Sequence, residues 1–322
     1  MFSPVKGEVF LIRYFKTVDN HIASIDAPEK GCWVSVEAPT SQEVDFLIEQ
    51  LGADPGFVRS SLDEEETSRV ELEENQTLII VDVPVAEKQD ADGGSVIYYT
   101  IPMGFIICAE YLLTISLREA PIIQEVGAGL VKNVRTQYKT NFLLTVLLRI
   151  ATRYIQYLKQ IDKISYVTEK QLHQSMRNKE LIQLLSLEKS LVYFSTALKS
   201  TETTLEKIFR GRIIKLYEED QELLEDVLIE IKQAIETCNI YSGILSGTMD
   251  AFASVISNNL NIVMKVLTSI TIVMAIPNIV FSFYGMNVVD LPIPYVWFPI
   301  VITLLICGGA AYLLNAKGYF KP

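Results

Sequence analysis

Two uninterrupted apolar runs close the sequence, VLTSITIVMAIPNIVFSF over 266–283 and VWFPIVITLLICGGAAYLL over 296–314. No other feature narrows the fold so far. Each run is about the length that crosses a hydrocarbon core as a helix, and neither contains a charged residue. The dozen residues between them, 284–295, allow only an antiparallel hairpin. Lys265 precedes the first run, Lys317 and Lys321 follow the second, and 284–295 has no Lys or Arg. Cytoplasmic flanks carry the excess of positive charge, so both chain ends are expected in the cytoplasm and the loop outside. Tyr284, Tyr295 and Trp297 occupy interfacial positions. The expected division is a first span at 266–284, an external loop at 285–295, a second span at 296–314 and a basic cytosolic tail at 315–322.

Upstream the chain reads as two soluble regions. Residues 8–120 alternate strand and helix signals, with strand candidates EVFLIRYF, CWVSV, TLIIVDVPV, SVIYYTIPMGFIIC and YLLTISL. ADGGS at 91–95 is a hairpin-type turn. TSQEVDFLIEQLG starts on Thr40 with Glu43 three residues on, a capping box, and stops at Gly52. An α/β cytosolic domain over 1–121 follows. From 122 to 265 a helical stalk is expected, because no proline stands between Pro121 and Pro277 and apolar residues recur every three or four positions. The helices are placed near 122–135, 140–178 and 181–210, with a break at Gly211. Beyond it Leu223 or Leu224, Val227, Ile231, Ala234, Cys238, Tyr241, Leu245, Phe252 and Val255 continue the period. One helix over 217–283 has a length of about 100 Å at 1.5 Å per residue, a stalk that feeds into the first span; Gly243 and Gly247 are its candidate bends.

Charge and composition exclude several classes. The net charge is −11, and residues 1–120 hold 22 acids against 8 bases. An acidic soluble part lacks the basic footprint of a nucleic-acid binder. The four cysteines, Cys32, Cys108, Cys238 and Cys307, form no CxxC pair, and the two histidines, His21 and His173, lie far apart. Free thiols in a reducing compartment, with no zinc cage, are the expectation. Val9-Phe10-Leu11-Ile12 is too short for a secretory h-region and is cut off by Arg13. No nucleophile motif, phosphate-cradling P-loop or metal-hydrolase spacing is present, so neither an enzyme nor an organic cofactor is expected.

The first span carries a stripe. At about 100° per residue, Asn261, Met264, Thr268, Thr271, Ala275, Asn278 and Ser282 fall within an arc of about 100°. Val266, Ile270, Val273 and Val280 lie opposite, and Asn287 waits beyond the stripe's outer end. Two explanations remain open. Single Thr or Asn residues in membrane helices often bond a neighbouring helix. Alternatively, several copies gather with this helix inside, and each stripe residue becomes a ring lining a pore. Mg²⁺ gives up its water reluctantly, and a ring of amides accepts hydrogen bonds from a retained water shell. Met264 and Leu267, near the inner edge, are placed to close such a pore by a dry constriction.

Tyr284-Gly285-Met286-Asn287, after the first of two C-terminal spans, resembles the loop of the CorA-type divalent cation channels and transporters. NIVMKVLTSITIV over 261–273 is similar to that family's approach to the pore. The resemblance implies a CorA-like funnel, a homopentamer in the plasma (inner) membrane, and lipid and divalent cations as its partners. It implies a pore lined by the first span and a filter at Gly285, Met286 and Asn287 for hydrated Mg²⁺, with Co²⁺ or Ni²⁺ sometimes carried. It also implies hydrophobic gating at Met264 and Leu267, and a basic collar of Lys265, Lys317 and Lys321. In the family, Mg²⁺ bridging cytosolic carboxylates between subunits holds the closed state; one of these falls on Asp226 in LLEDVL. The partner carboxylate's place is taken here by Val58-Arg59-Ser60, without an acid, and Asp63, Glu64, Glu65 and Glu66 are the candidates to replace it. Their plain alternative is a solvated helix end. The family's proline within the first span appears one residue later, at Pro277, and Asn278 stands where a threonine is common. The related zinc-transporting branch, which in some members couples to protons, is the rival within transport, and Met286 favours the magnesium branch. A membrane-anchored sensor that conducts nothing is the rival outside it.

Overall fold

The structure is a computed structural model describing residues 12–19, 21–73, 75–89, 95–175, 178–211, 213–287, 293 and 295–319. Two compact units are present, residues 1–246 and 247–322. In the first, β1 (Ile12–Val18), β2 (His21–Ile25), β3 (Trp33–Glu37), β4 (Arg69–Glu73), β5 (Gln76–Gln89), β6 (Ser95–Ile107) and β7 (Leu112–Ser116) form one sheet. Its order is β2-β1-β3-β7-β6-β5-β4. β3 and β7 pair in parallel, with Val34 opposite Leu113, and the other pairs are antiparallel.

The central strands β3 and β7 are buried at every position because both faces of the sheet are covered. Val34, Val36, Leu78, Ile80, Leu113 and Ile115 share one core with Leu47 of α1 (Ser41–Glu49) and Phe57 and Val58 of α2 (Pro55–Ser61). Strand alternation sends the residues between them to the other face. There Trp33 stacks on Phe15 at 4.8 Å and meets Phe142 of α4 (Lys139–Ser175) at 5.1 Å. Tyr154 of α4 meets Phe194 of α5 (Asn178–Gly211) edge-on at 5.0 Å.

The helix ends follow local chemistry. Thr40 and Glu43 form the expected capping box ahead of α1, and Gly52 takes the left-handed φ of +65° after it. Asp54 caps α2 by accepting the Phe57 N–H, with Pro55 in the first turn. α3 runs only from Pro121 to Gly127, short of the expected 135, since Gly129 turns left-handed at φ +72°. α6 runs unbroken from Glu218 to Tyr284, 67 residues, through Gly243 and Gly247. It buries Leu224, Val227, Ile231, Ala234, Cys238, Leu245 and Phe252, while Val255 is exposed. The Cys238 thiol donates to the Leu191 carbonyl of α5 at 3.1 Å.

One buried polar chain crosses this core. Tyr154 Oη donates to the Asp82 carbonyl at 2.9 Å, and Ser68 Oγ lies 3.1 Å from both Asp82 Oδ2 and Thr201 Oγ1. Burial pushes the Asp82 carboxyl above the ordinary carboxylate range, and the Ser68 hydroxyl offsets only part of that rise.

Candidate functional site

The second unit contains the last part of α6 and all of α7 (Trp297–Ala316), both long and apolar enough to cross a membrane. Along α6, Ile262, Val266, Ser269, Val273, Ile276, Pro277, Val280 and Tyr284 are partly or fully covered, and Ser269 is only 1% exposed. Steps of three and four are those of a helix–helix seam. Two contacts assign the seam to α7. The Tyr284 and Phe298 rings lie 6.1 Å apart, and the Cys307 thiol reaches the Val273 carbonyl at 3.7 Å.

Pro277 gives that second contact its reason. Proline has no N–H, so the carbonyl four residues back loses its intrahelical donor. That carbonyl belongs to Val273. In hydrocarbon no water replaces the missing donor, and Cys307 supplies one from α7. Two further hydroxyls arrive with their hydrogens already placed. Ser269 Oγ donates to the Lys265 carbonyl at 2.8 Å and Thr303 Oγ1 to the Pro299 carbonyl at 2.6 Å, each within its own helix.

The polar stripe lies on the other side. Asn261, Met264, Thr268, Thr271, Ala275, Asn278 and Ser282 are all exposed. They repeat the same steps of three and four, centred about half a turn from the α7 seam. Within the chain the helix glue is therefore the seam, and α7 leaves the stripe uncovered. Leu267 and Ile270 are exposed as well. Thr271 Oγ1 donates its hydrogen to the Leu267 carbonyl at 2.8 Å. Its remaining lone pairs can only accept, which suits a surface facing cations or their water.

At its C-terminal end α6 stops at Tyr284 and the chain turns at once. Gly285 N–H bonds the Phe281 carbonyl at 2.9 Å and Met286 N–H the Phe283 carbonyl at 3.4 Å. A Cβ on Gly285 would stand 3.1 Å from the Phe281 oxygen, so the turn closes most easily with glycine. Met286 and Asn287 are exposed immediately after it. Residues 288–292 and 294 lie outside the described residues. Tyr295 stacks on Trp297 at 6.3 Å, so aromatics gather where the span meets the loop.

At the other end of the stripe, an open recess of about 370 Å³ is lined by Asn258, Asn261, Met264, Lys265, Thr268 and Tyr319, all of them exposed. Asn258 and Tyr319 carry no helical pattern that would single them out in sequence; only the turn after α7 brings Tyr319 back to α6. Lys317 caps α7, its N–H bonding the Leu313 carbonyl, and Lys321 lies outside the described residues.

The candidate regulatory acids are in the first unit. Asp226 is exposed on α6, between buried Leu224 and Val227. Asp63 Oδ1 accepts the Glu65 N–H at 3.0 Å, Glu64 pairs with Arg118 at 2.9 Å, and Glu66 with Arg69 at 3.5 Å. Ser60, on the last turn of α2, accepts from Arg69 at 3.0 Å. Among the described residues no three His, Cys, Asp or Glu side chains converge on a metal-sized site, so one chain does not bring Asp226, Asp63 and Glu64 into such a group.

Comparison with known proteins places this geometry. Residues 28–316 match the family described as CorA-like Mg²⁺ transporter protein. The cobalt/magnesium transport protein CorA of Methanocaldococcus jannaschii is 26% identical over 295 residues, covering 89% of this chain and 90% of that protein. The protein of the same name from Thermotoga maritima is 25% identical over 195 residues, 60% of this chain and 54% of its own length. Among solved structures, the complete CorA magnesium transporter of M. jannaschii superposes with a TM-score of 0.80 at 22% identity, over 97% of this chain and 100% of that one.

Proposed function

The chain belongs to the CorA-like Mg²⁺ transporter family, and from that premise we propose that it carries Mg²⁺ across the membrane through a pore formed by five copies. Its relatives are named as cobalt/magnesium transport proteins, which makes Co²⁺ the second cargo to test. The observation that carries the reading is the exposed stripe of α6, set about half a turn from the seam that α7 occupies. A face of amides and hydroxyls left open in a membrane helix needs water or other copies to satisfy it. A central aqueous axis supplies both.

In this reading Asn287 forms a ring at the mouth that accepts hydrogen bonds from the water shell of the entering ion. Gly285 and Met286 set that ring's height. Ser282 and Asn278 continue the polar lining inward, past Ala275 to Thr271, Thr268 and Asn261. Neither span contains a carboxylate to strip or trap the ion, so hydrated Mg²⁺ passes with its inner waters retained. Met264 and Leu267, 52% and 56% exposed in one chain, close the inner end by dewetting when the helices tilt together. Cytosolic divalent cations bridge Asp226 of one copy to Asp63 or Glu64 of the next and hold the closed state. The two-carboxylate bridge needs two chains. Asp63 is the freer ligand of that pair, because Glu64 is engaged by Arg118. Both termini lie on the cytoplasmic side of the plasma membrane.

The test is ion flux into liposomes for Mg²⁺, Co²⁺ and Zn²⁺, with and without a pH gradient, for the native chain and Asn287→Ala. Mg²⁺ flux that is insensitive to the gradient and lost in Asn287→Ala is expected. Flux of Zn²⁺ alone, driven by protons, would assign the chain to the zinc-transporting branch, and no flux at all would leave the non-conducting sensor. Asp226→Ala is expected to shift inhibition by internal Mg²⁺ to higher concentration; an unchanged curve removes the regulatory bridge and leaves the pore standing.

A further inference from the structure

Two helix faces of the first unit are apolar and open. On α5, Ile182, Leu185, Lys189, Val192, Thr196 and Lys199 are all exposed and follow steps of three and four, within an arc of about 100°. Leu187, Phe194, Leu198 and Leu205, which pack α5 onto its own chain, are centred about half a turn away. On α6, Ile229, Gln233, Glu236, Ile240 and Ile244 form a second exposed stripe, opposite the buried Val227, Ile231, Ala234 and Cys238. Aliphatic side chains repeated at that period make a helix–helix seam, yet among the described residues neither stripe is covered. The two faces also complement each other in charge. The α5 stripe carries Lys189 and Lys199 without an acid, and the α6 stripe carries Glu236 without a base. Among the described residues none of these three enters an ion pair within the chain.

Contacts inside the chain fix how the stripes match along their length. α5 and α6 run antiparallel: the Cys238 thiol meets the Leu191 carbonyl, and Ser195 Oγ lies 3.4 Å from Asn239 Oδ1. Lys232 pairs with Glu202 at 3.8 Å and with Glu206 at 3.5 Å. Val192 is therefore level with the turn 240–244, and Lys199 with Glu236. Rotational symmetry keeps each residue at its own height along a ring axis. Around an axis running along α6, an α5 stripe meets the next α6 stripe with valine against isoleucine and lysine against glutamate. Packing α6 stripes on one another would instead set Glu236 against Glu236, a like-charge contact. We infer that the first units of neighbouring copies dock through this heterologous seam, α5 of one chain on α6 of the next. The inference rests on the assembly of several copies proposed above and names its contact outside the membrane. A separate relation agrees with it. Ser68, just after the acidic turn 63–66, is tied to α5, its hydroxyl 3.1 Å from Thr201 Oγ1 and its carbonyl accepting from Thr204 at 2.9 Å. By the same matching, residues 201–204 stand within about two helical turns of Asp226. The seam thus carries the turn with Asp63 and Glu64 towards Asp226 of the next copy.

Cross-linking between chains of two lengths tests the seam. In the full chain with its four native cysteines replaced by serine, one version carries Val192→Cys. A second version, lengthened by an affinity tag, carries Ile240→Cys. The two are co-expressed, and their membranes are treated with a short bismaleimide. A band at the summed mass joins two different copies, and it is expected for this pair. Val192→Cys with Glu222→Cys is the control and should give no such band. Glu222 is exposed on the same face of α6, 18 residues before Ile240 and so about 27 Å away. Lys199→Glu in the first version should slow the Val192–Ile240 link about two- to threefold, and Glu236→Lys in the second should restore it. All these positions are exposed, so none of the changes opens a core. The particle mass in detergent is measured in parallel. An assembly of several copies that lacks the Val192–Ile240 band, shows an equal Glu222 band, or ignores the charge reversals overturns the seam and leaves the pore reading standing. A particle of one chain overturns both.

Discussion

Cys307→Ala tests the account of the α6–α7 seam most sharply when combined with Pro277→Ala. The thiol stands 3.7 Å from the Val273 carbonyl that Pro277 leaves without a donor. Interhelical hydrogen bonds in membranes average about 0.6 kcal/mol and reach about 1.7 kcal/mol. A thiol is a weak donor, so the lower figure applies to the bond, and the lost sulfur contacts bring the single substitution to about 1 kcal/mol. Pro277→Ala restores a backbone N–H at that position, and this donor can bond the Val273 carbonyl within α6. Cys307→Ala in that background should cost only the lost contacts, giving a coupling energy of about 0.6 kcal/mol, near threefold in the equilibrium constant. Reversible unfolding of the four proteins in mixed dodecyl sulfate micelles, followed by circular dichroism, measures the cycle. Costs that add to within about 0.3 kcal/mol would refute the idea that Cys307 stands in for the missing proline donor.

Three further outcomes follow from the same geometry. Ser269, 1% exposed in the seam with its hydroxyl spent on its own helix, should tolerate alanine within about 0.5 kcal/mol and lose about 1–3 kcal/mol as leucine; equal effects of both in the same unfolding assay would contradict the seam. Gly104→Ala places a Cβ 1.9 Å from Ser61 Oγ and 2.5 Å from Ser61 Cβ. It should destabilise the N-terminal unit by about 1–3 kcal/mol, and Ser61→Gly should recover much of that loss; thermal unfolding with no rescue would sink this reading. Asp82 has a folded pKa above its unfolded one, so its contribution is intact below the unfolded value and is lost as pH rises through the folded value. The stability difference between Asp82→Asn and the native chain should therefore shift in favour of the variant with rising pH and level off once both states are ionised. A difference that stays flat from pH 3 to pH 8 would show that the carboxyl is not perturbed.

Much of this architecture is readable from residue patterns because its causes are local. The apolar runs at 266–283 and 296–314 correspond to the end of α6 at Tyr284 and to α7 at Trp297–Ala316. Thr40 and Glu43 sit three residues apart, and the capping box is there. Where neighbours decide, the pattern says less. β2, His21–Ile25, is an edge strand with a largely exposed surface, and its short HIASI segment shows no clear alternation. α2 has a usable signal in Asp54-Pro55, a cap followed by proline, which is weak for a helix of seven residues. On periodicity alone α3 would continue to 135, whereas Gly129 ends the turn.

The candidate site divides in the same way. The polar stripe from Asn261 to Ser282 is a helical period and stands out from sequence alone. The companion seam from Ile262 to Tyr284 has an equally regular period, and nothing local says which of the two α7 will cover. The Cys307–Val273 contact decides it. The recess is invisible in the sequence for a different reason: Tyr319 joins the α6 residues that line it only after α7.

Thiol accessibility along α6 tests the central claim most directly. In a chain whose four native cysteines are replaced by serine, single cysteines are placed at Thr271, Ala275 and Asn278 on the stripe, and at Val273 and Val280 in the seam. A charged, water-soluble methanethiosulfonate is then added to reconstituted protein during Mg²⁺ flux. Rapid modification and block at the three stripe positions, with slow or silent reaction at the two seam positions, is the result predicted. Equal reactivity on both faces, or block confined to the seam, would mean that water and ions do not travel along the stripe.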